Sequence, residues 1–575
     1  MKKILLCLVL LLILAQALAL PVFPTAEGFG TQTPAGRGGT VYKVTNLNAS
    51  GPGSLNECVE ASGPRVCIFE VSGNIEHYGG LNIRNPYITI AGQTAPSPGI
   101  TLKGTTLTIF THDVLIQHIR VRTGDNELGY SPDSRHVVYL PSSASPYNVV
   151  LDHCSFSWGI DEIISATGHN LTVSNSIISE ALNASLHPKG PHPLGILLGA
   201  DNSSWIRNLI AHTANRNPVV DAPRLLIVNH IGYNLVGKYG CAPTISGSTP
   251  KEATIIGSGT YRGPDSGSGE FPCVNATYLV YVNKVSSAGF DLYAEDNECE
   301  NRDEDPWSCV YVYASNVRQA SSPPVWVEPL TVLSSAEALP WVLNNSGARP
   351  ADRDSAYIRV INNVRNRDGQ FIDCVTPEPI YYPTGSVVSA TSDTITFPAA
   401  TIFMYDDGYN GKVVEITSGT GNGQNRTITD YAGKFGSPNY TATVDPGWDI
   451  TPDSTSEFRI ITDCTKNAGG WPDLAENYRA LTIPNNPNQD DDGDGYTNLE
   501  EWLHNFSAVV EGRVILEEPE PIPGDLNNDG VVDIQDLTIV ATNFGLTTGF
   551  EQAADTDSNN VIDIFDIVFV ASRFT

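Results

Sequence analysis

The chain has 575 residues, with 33 Lys and Arg against 64 Asp and Glu, a formal net charge of -31, and 41% hydrophobic and 17% charged residues. That length exceeds one ordinary core and calls for several domains or a repetitive architecture that grows along an axis, and the composition is that of a folded chain. The acidity argues against nucleic acid or an anionic membrane as partner. It is unevenly spread: from Asp490 to Thr575 there are 19 Asp and Glu against Arg513 and Arg573, and removing that -17 from -31 leaves -14 for the first 489 residues.

In chain order, residues 1–19 read as an export signal: Lys2 and Lys3 precede an apolar run, and Ala15, Ala17 and Ala19 suit cleavage. No later stretch is apolar enough to span a membrane once that segment is removed. Nine cysteines then remain, and an exported chain can oxidise them. One sequence does not fix connectivity; pairing by proximity gives Cys58–Cys67, Cys241–Cys273, Cys299–Cys309 and Cys374–Cys464, with Cys154 left as a buried thiol. Ser54-Leu55-Asn56-Glu57 is a capping box that starts a short helix, expected to cover an open sheet end.

From about 40 to 310 short β-branched runs alternate with Gly, Asn, Ser and Pro. V-L-I-Q-H-I-R-V from 114, V-V-L-D-H-C-S-F from 149 and L-T-V-S-N-S-I-I from 171 share a template of apolar residues, a polar pair and a return to apolar. Looser copies start at 205 and 225, so the period is just over 20 residues, twice lengthened. Such a period marks a solenoid, and the fold class expected is all-β: a right-handed parallel β-helix. Residues 375–463 alternate like antiparallel strands and read as a small inserted β module, stapled by Cys374 and Cys464 at its base. The expected domains are 1–19 (signal), 22–374 (β-helix), 375–463 (insert), 464–510 (end of the β-helix region with a calcium loop), 511–523 (acidic, Pro-rich linker) and 524–575.

Asp490 to Glu501, D-D-D-G-D-G-Y-T-N-L-E-E, fits the twelve-residue calcium loop, with Asp490, Asp492, Asp494, Tyr496 (carbonyl), Asn498 and Glu501 as ligands and Gly495 at the tight turn. Two further loops place Asp525, Asn527, Asp529, Asp533 and Asp536, then Asp555, Asp557, Asn559, Asp563 and Asp566, at the corresponding positions 30 residues apart. Each leads into an apolar run, and the duplicated unit 524–575 resembles a type I dockerin. The resemblance implies an α-helical module with paired calcium loops and a cohesin module of a scaffold protein as partner.

F-P-T-A-E-G-F-G at 23, G-P-G-S-L-N-E-C at 51, V-L-D-H-C-S-F-S-W-G-I-D-E at 150, H-P-K-G-P-H at 187, N-R-N-P at 215 and G-G-W-P-D-L at 469 follow one another. This succession resembles secreted pectate lyases of polysaccharide lyase family 1, over residues 22 to 510 apart from the insert. The resemblance implies calcium-dependent β-elimination on polygalacturonate or pectin. It implies calcium on Asp152 and Asp161, with Glu162 standing in for an acid the family often has where this chain has Ser157. It implies Lys189 on the substrate carboxylate and Arg216 as the catalytic base, a role at odds with a guanidinium pKa above about 12. The family's second arginine position is Asp221, with Arg224 three residues on. His187, Arg224 and Trp158 are candidate substrate contacts; the histidines, His153 and His192 included, read as structural or substrate-lining, since no zinc-type His spacing occurs. A polygalacturonase-type hydrolase on the same scaffold is the alternative, but it needs paired catalytic carboxylates, and no N-T-D, D-D and H-G succession occurs. A non-catalytic carbohydrate-binding β-helix is the third reading.

Overall fold

The computed structural model describes residues 20–575 apart from 127, 190, 237–242, 267–277, 399–408, 433–438, 466–467, 514–523, 525, 528–530, 551, 557–558 and 575. The expected export segment and most of the expected linker lie outside the described residues, as do Cys241, Cys273, Asp525, Asp529 and Asp557. The chain divides into two compact units, Met1–Gly512 and Arg513–Thr575.

In the first unit the strands from Thr40 to Gln319 form three all-parallel sheets of eleven, eight and nine strands, here the first, second and third walls. The coils from Arg65 to Lys284 visit them in that order, as in Val114–Gln117, Arg120–Arg122 and Val138–Leu140, then Tyr147–Asp152, Ser155–Ser157 and Ile164–Ala166. This is a parallel β-helix. Register explains its stability: Ile116, Leu151, Val173, Trp205 and Ile227 stand directly above one another in the first wall. All are buried, each contributing about 1.5–3 kcal/mol.

The turn from first to second wall is two residues long in six successive coils: His118-Ile119, His153-Cys154, Asn175-Ser176, Arg207-Asn208, Asn229-His230 and Gly257-Ser258. The first residue of each has a left-handed φ, between +46° and +61°. The polar pair of the sequence template falls here; Asn175, Asn229 and Gly257 suit that conformation, and the two-residue turn imposes it on His118, His153 and Arg207 as well. Turns from second to third wall vary widely in length.

Helix α1 (Leu55–Glu60) has Ser54 accepting from the Glu57 amide, and buries Leu55, Cys58 and Val59 against the first strands. Cys58–Cys67, Cys299–Cys309 and Cys374–Cys464 are disulfides, and Cys154 is a buried free thiol. Helices α2 (Ser335–Asn345) and α3 (Ser355–Asn366), absent from the sequence expectations, cover the outside of the second wall: Val342, Val360 and Val364 pack on Ile177, Leu209 and Ile231. Asp354 caps α3 and binds Arg122 and Arg120, both buried, at 2.8 and 2.9 Å. A seven-stranded antiparallel sheet between Ile380 and Thr462 has its own core around Phe397, Tyr431 and Phe458, above the Cys374–Cys464 bond.

After this insert the chain returns to the first coils. The amides of Asn477 and Leu481 donate to Ser72 Oγ and Glu70 Oε1, and Lys43 Nζ donates to the Leu481 carbonyl. Helix α4 (Asn498–Val510) packs Leu499 and Leu503 on Val66 and Ile68, and Glu500 pairs with Arg37 at 2.8 Å. In the second unit, α5 (Ile534–Asn543) and α6 (Ile564–Ala571) close over Val532, Val540, Ile562 and Val570. Among the described residues no helix is long and apolar enough to cross a membrane.

Candidate active site and calcium loops

Four successive second-to-third-wall turns bring the chemistry of the first unit together. They carry His136, then Asp161 and Glu162, then His187, Lys189 and His192, then Arg216. Arg216 forms an ion pair with Glu162, which also stands 3.0 Å from His136 Nδ1. Asp161 Oδ1 is 3.2 Å from His192 Nε2 and 3.8 Å from His187 Nε2. The imidazoles of His187 and His192 stack at 3.7 Å. Glu162 is buried, Arg216 a third exposed and Lys189 exposed, so the cations face outward over buried acids.

Burial, then the neighbouring His192, pushes the His187 imidazole down to about 3. Burial likewise lowers His136 and His192, with the Lys189 ammonium adding to the effect on His192. Burial alone would raise the Asp161 carboxyl, but the His192 hydrogen bond and the field of His136 outweigh it and hold it below the usual range. The site therefore combines an ionised Asp161, neutral imidazoles, the Glu162–Arg216 ion pair and an outward Lys189. The Lys189 amide donates to His187 Nδ1 at 3.1 Å, so neutral His187 carries its own proton on Nε2, toward Asp161.

Three candidates from the sequence fall elsewhere. Asp152 closes a first-wall strand, fully buried, and accepts from Gln117 Nε2, Ser174 Oγ, Asn175 Nδ2 and His153 Nδ1. The strand Ser155–Ser157 separates it from Asp161, and three strand residues span roughly 10 Å, so the two acids stand at opposite ends of that strand and are not brought together. Trp158 is wholly buried; its indole N–H donates to Glu180 and its ring meets Trp471 edge-on, which leaves no face for a sugar. Arg224 begins a first-wall strand and makes two bonds to Asp201, away from Arg216. Ser157 is buried against the Tyr357 hydroxyl, and Asp221 receives the Thr249 amide. Sequence reasoning missed His136, whose only signal is its place one coil ahead of Asp161.

The loop before α4 is compact. Asp490 accepts from the amides of Gly493 and Gly495, Asp492 from Asp494 and Asp494 from Tyr496, with the three carboxylates clustered and exposed. Partial burial and then the fields of Asp492 and Asp494 raise the Glu501 carboxyl. Clustered oxygens with mutual repulsion form a donor set that fits hard calcium. Asn498 is turned inward, accepting from Asp491 and donating to the carbonyls of Asn485 and Asn486. In the second unit Asp536 accepts from the amides of Leu526, Asn527 and Asp533, and Asp566 from those of Thr556 and Asp563. Asp533 and Asp563 cap α5 and α6 in the same way, and Asp555 accepts from the amides of Asn559 and Asn560.

A family model for the dockerin type I domain matches residues 523–575. The chain is 33% identical over 366 residues to a probable pectate lyase C of Neosartorya fischeri, covering 60% of this chain and 78% of that protein. It is 36% identical over 270 residues to a probable pectate lyase C of Aspergillus flavus, spanning 60% of that protein's length and 46% of its own. Among solved structures it is similar to pectate lyase II of Xanthomonas campestris, at 13% identity and a TM-score of 0.35, covering 57% of this chain and all of that one. A pectate lyase bound to a hexasaccharide is similar at 12% identity and a TM-score of 0.38, covering 58% and 99%.

Proposed function

The chain belongs to the pectate lyase family, and from that premise we propose that it cleaves polygalacturonate by β-elimination with calcium and is carried on a cohesin-bearing scaffold by its dockerin. The observation that carries the reading is the alignment of Lys189 and Arg216 on neighbouring coils, facing outward over Asp161 and Glu162. Elimination removes the proton at C5, α to the uronate carboxylate, and expels the 4-linked oxygen, so negative charge builds on that carboxylate. Two cations in one turn column offset it where it develops. Lys189 holds the carboxylate. Glu162 pairs with Arg216 at rest, so proton removal by Arg216 requires the substrate to separate that pair, and Lys189 nearby then disfavours a second positive charge.

Calcium at this place would have Asp161 and Glu162 from the protein; the flanking imidazoles are poor donors for it, so the fit is complete only with oxygens of the uronate. When bound there it would neutralise the uronate carboxylate as a Lewis acid. The loop at Asp490–Glu501 and the two dockerin loops form separate calcium sites.

Polygalacturonate with calcium is expected to give the ultraviolet absorbance of an unsaturated uronate, lost with chelator and in Arg216→Ala. No absorbance from the intact protein rules the reading out, and new reducing ends without absorbance point to hydrolysis. For the second unit, exposed Ile534, Ile564, Phe565 and Val568 support docking to a cohesin. Calcium-dependent complex formation should vanish on truncation after Pro523. Export through the leader 1–19 would deliver the enzyme outside the cell.

A further inference from the structure

Outside the proposed active site, His118, His153 and Glu511 bring three ligand atoms within 4.8 Å of one another. His118 and His153 are the left-handed residues of adjacent two-residue turns, so the coil repeat stacks their rings at 5.2 Å and 15°. His118 Nδ1 lies 2.8 Å from the Ala348 carbonyl, which only accepts, so that nitrogen bears the proton. His153 Nδ1 lies 2.9 Å from Asp152, an acid held well below its usual range: burial would raise it, but His153 and His118 outweigh that. In both rings Nε2 is therefore left with a lone pair. His118 Nε2 is fully buried, has no hydrogen-bond partner, and is 3.6 Å from Glu511 Oε1; His153 Nε2 is 3.7 Å from Glu511 Oε2.

Those separations exceed hydrogen-bond length, and they set two imidazole Nε2 atoms around one carboxylate. They lie within about 0.4 Å of the roughly 3.3–3.4 Å that separates tetrahedral ligand atoms about 2.0–2.1 Å from one zinc ion. Each imidazole is oriented from behind by a carbonyl or carboxylate, as metal-bound histidines are. Glu511 is also the C-cap of α4, where the negative end of the helix dipole disfavours a carboxylate unless a cation is present. Asp152 and Glu511 together balance a divalent charge.

We propose that His118, His153 and Glu511 bind a divalent transition-metal ion of the zinc class, oriented through Ala348 and Asp152, which fastens the end of α4 to the first-to-second-wall turns. The Asp161–His187–His192 group is the weaker candidate, because the His187 Nδ1 accepts from Lys189 and its Nε2 bears the proton. The test uses the full chain, stripped of metal, resupplied with saturating calcium and titrated with Co²⁺, read by visible absorption and by Zn²⁺ displacement. One Co²⁺ per chain is expected, displaced by Zn²⁺. His153→Gln and Glu511→Ala should weaken it by about a hundredfold or more, and Asp152→Asn by about 10–100-fold. Glu511 caps α4, outside the coils themselves, so its variant keeps the proposal testable should the histidine variant fail to fold. Absence of Co²⁺ or Zn²⁺ binding tighter than about 10 μM overturns the proposal. So does binding that survives His153→Gln and Glu511→Ala but is lost in His192→Gln.

Discussion

The first-to-second-wall turns and the second-to-third-wall turns belong to the same coils but use their residues in opposite ways. The first kind has two residues in six successive coils, so a polar side chain there meets its counterpart one coil away: Asn175 donates to Asp152 and accepts from Arg207. The second kind varies in length, which lets His136, Asp161, Lys189 and Arg216 reach one place from four coils. Strict repetition stacks like positions into mutual contacts, and irregular length brings unlike groups together for chemistry. The second wall, covered by α2 and α3, lies between the two columns.

The largest expected effect tests whether that wall is a structural divider. Asp354→Asn leaves Arg120 and Arg122 buried without their carboxylate and should cost about 3–5 kcal/mol in denaturant unfolding. Burial alone would raise the Asp354 carboxyl, but the two guanidinium groups hold it below its unfolded value of about 3.9. Its stabilisation is therefore full above that value and lost as pH falls through the lower folded one, so the wild-type excess over Asp354→Asn should shrink below about pH 4.

Next, Arg216→Ala should lower kcat/KM on polygalacturonate by about 100-fold or more while the melting temperature moves little. Unchanged turnover would remove the variable column from the chemistry. Asn175→Ala should do the converse, costing about 2 kcal/mol through two lost hydrogen bonds at a left-handed position with turnover preserved. Smallest is Arg224→Ala, whose exposed pair with Asp201 predicts less than about 1 kcal/mol and no kinetic change. A kinetic defect there would bring Arg224 back to the substrate.

The coil template, the α1 capping box and the polar turn pairs were legible because each is a local or periodic signal. Asp161, Glu162, Lys189 and Arg216 were placed by motif, and the coils bring them together. Asp152 and Trp158 were misplaced because a motif read along the chain does not show on which side of a three-residue strand a side chain falls. His118 and His153 escaped notice as a pair for the same geometric reason: they are 35 positions apart in sequence and one rung apart in space. Helices α2 and α3 leave no mark on the coil period, since they lie outside it.

The return of the chain after the insert also sets an order of assembly. Lys43, Glu70 and Ser72 complete their bonding at Leu481 and Asn477, and Arg37 pairs with Glu500. A chain emerging from its N-terminus makes these rungs first and must hold them unsealed until some four hundred further residues have followed. Closing so long a loop is slow and late. The opening rungs of the ladder are thus the last to be locked, and any interruption of synthesis before residue 500 would release a stack with its first edge still open.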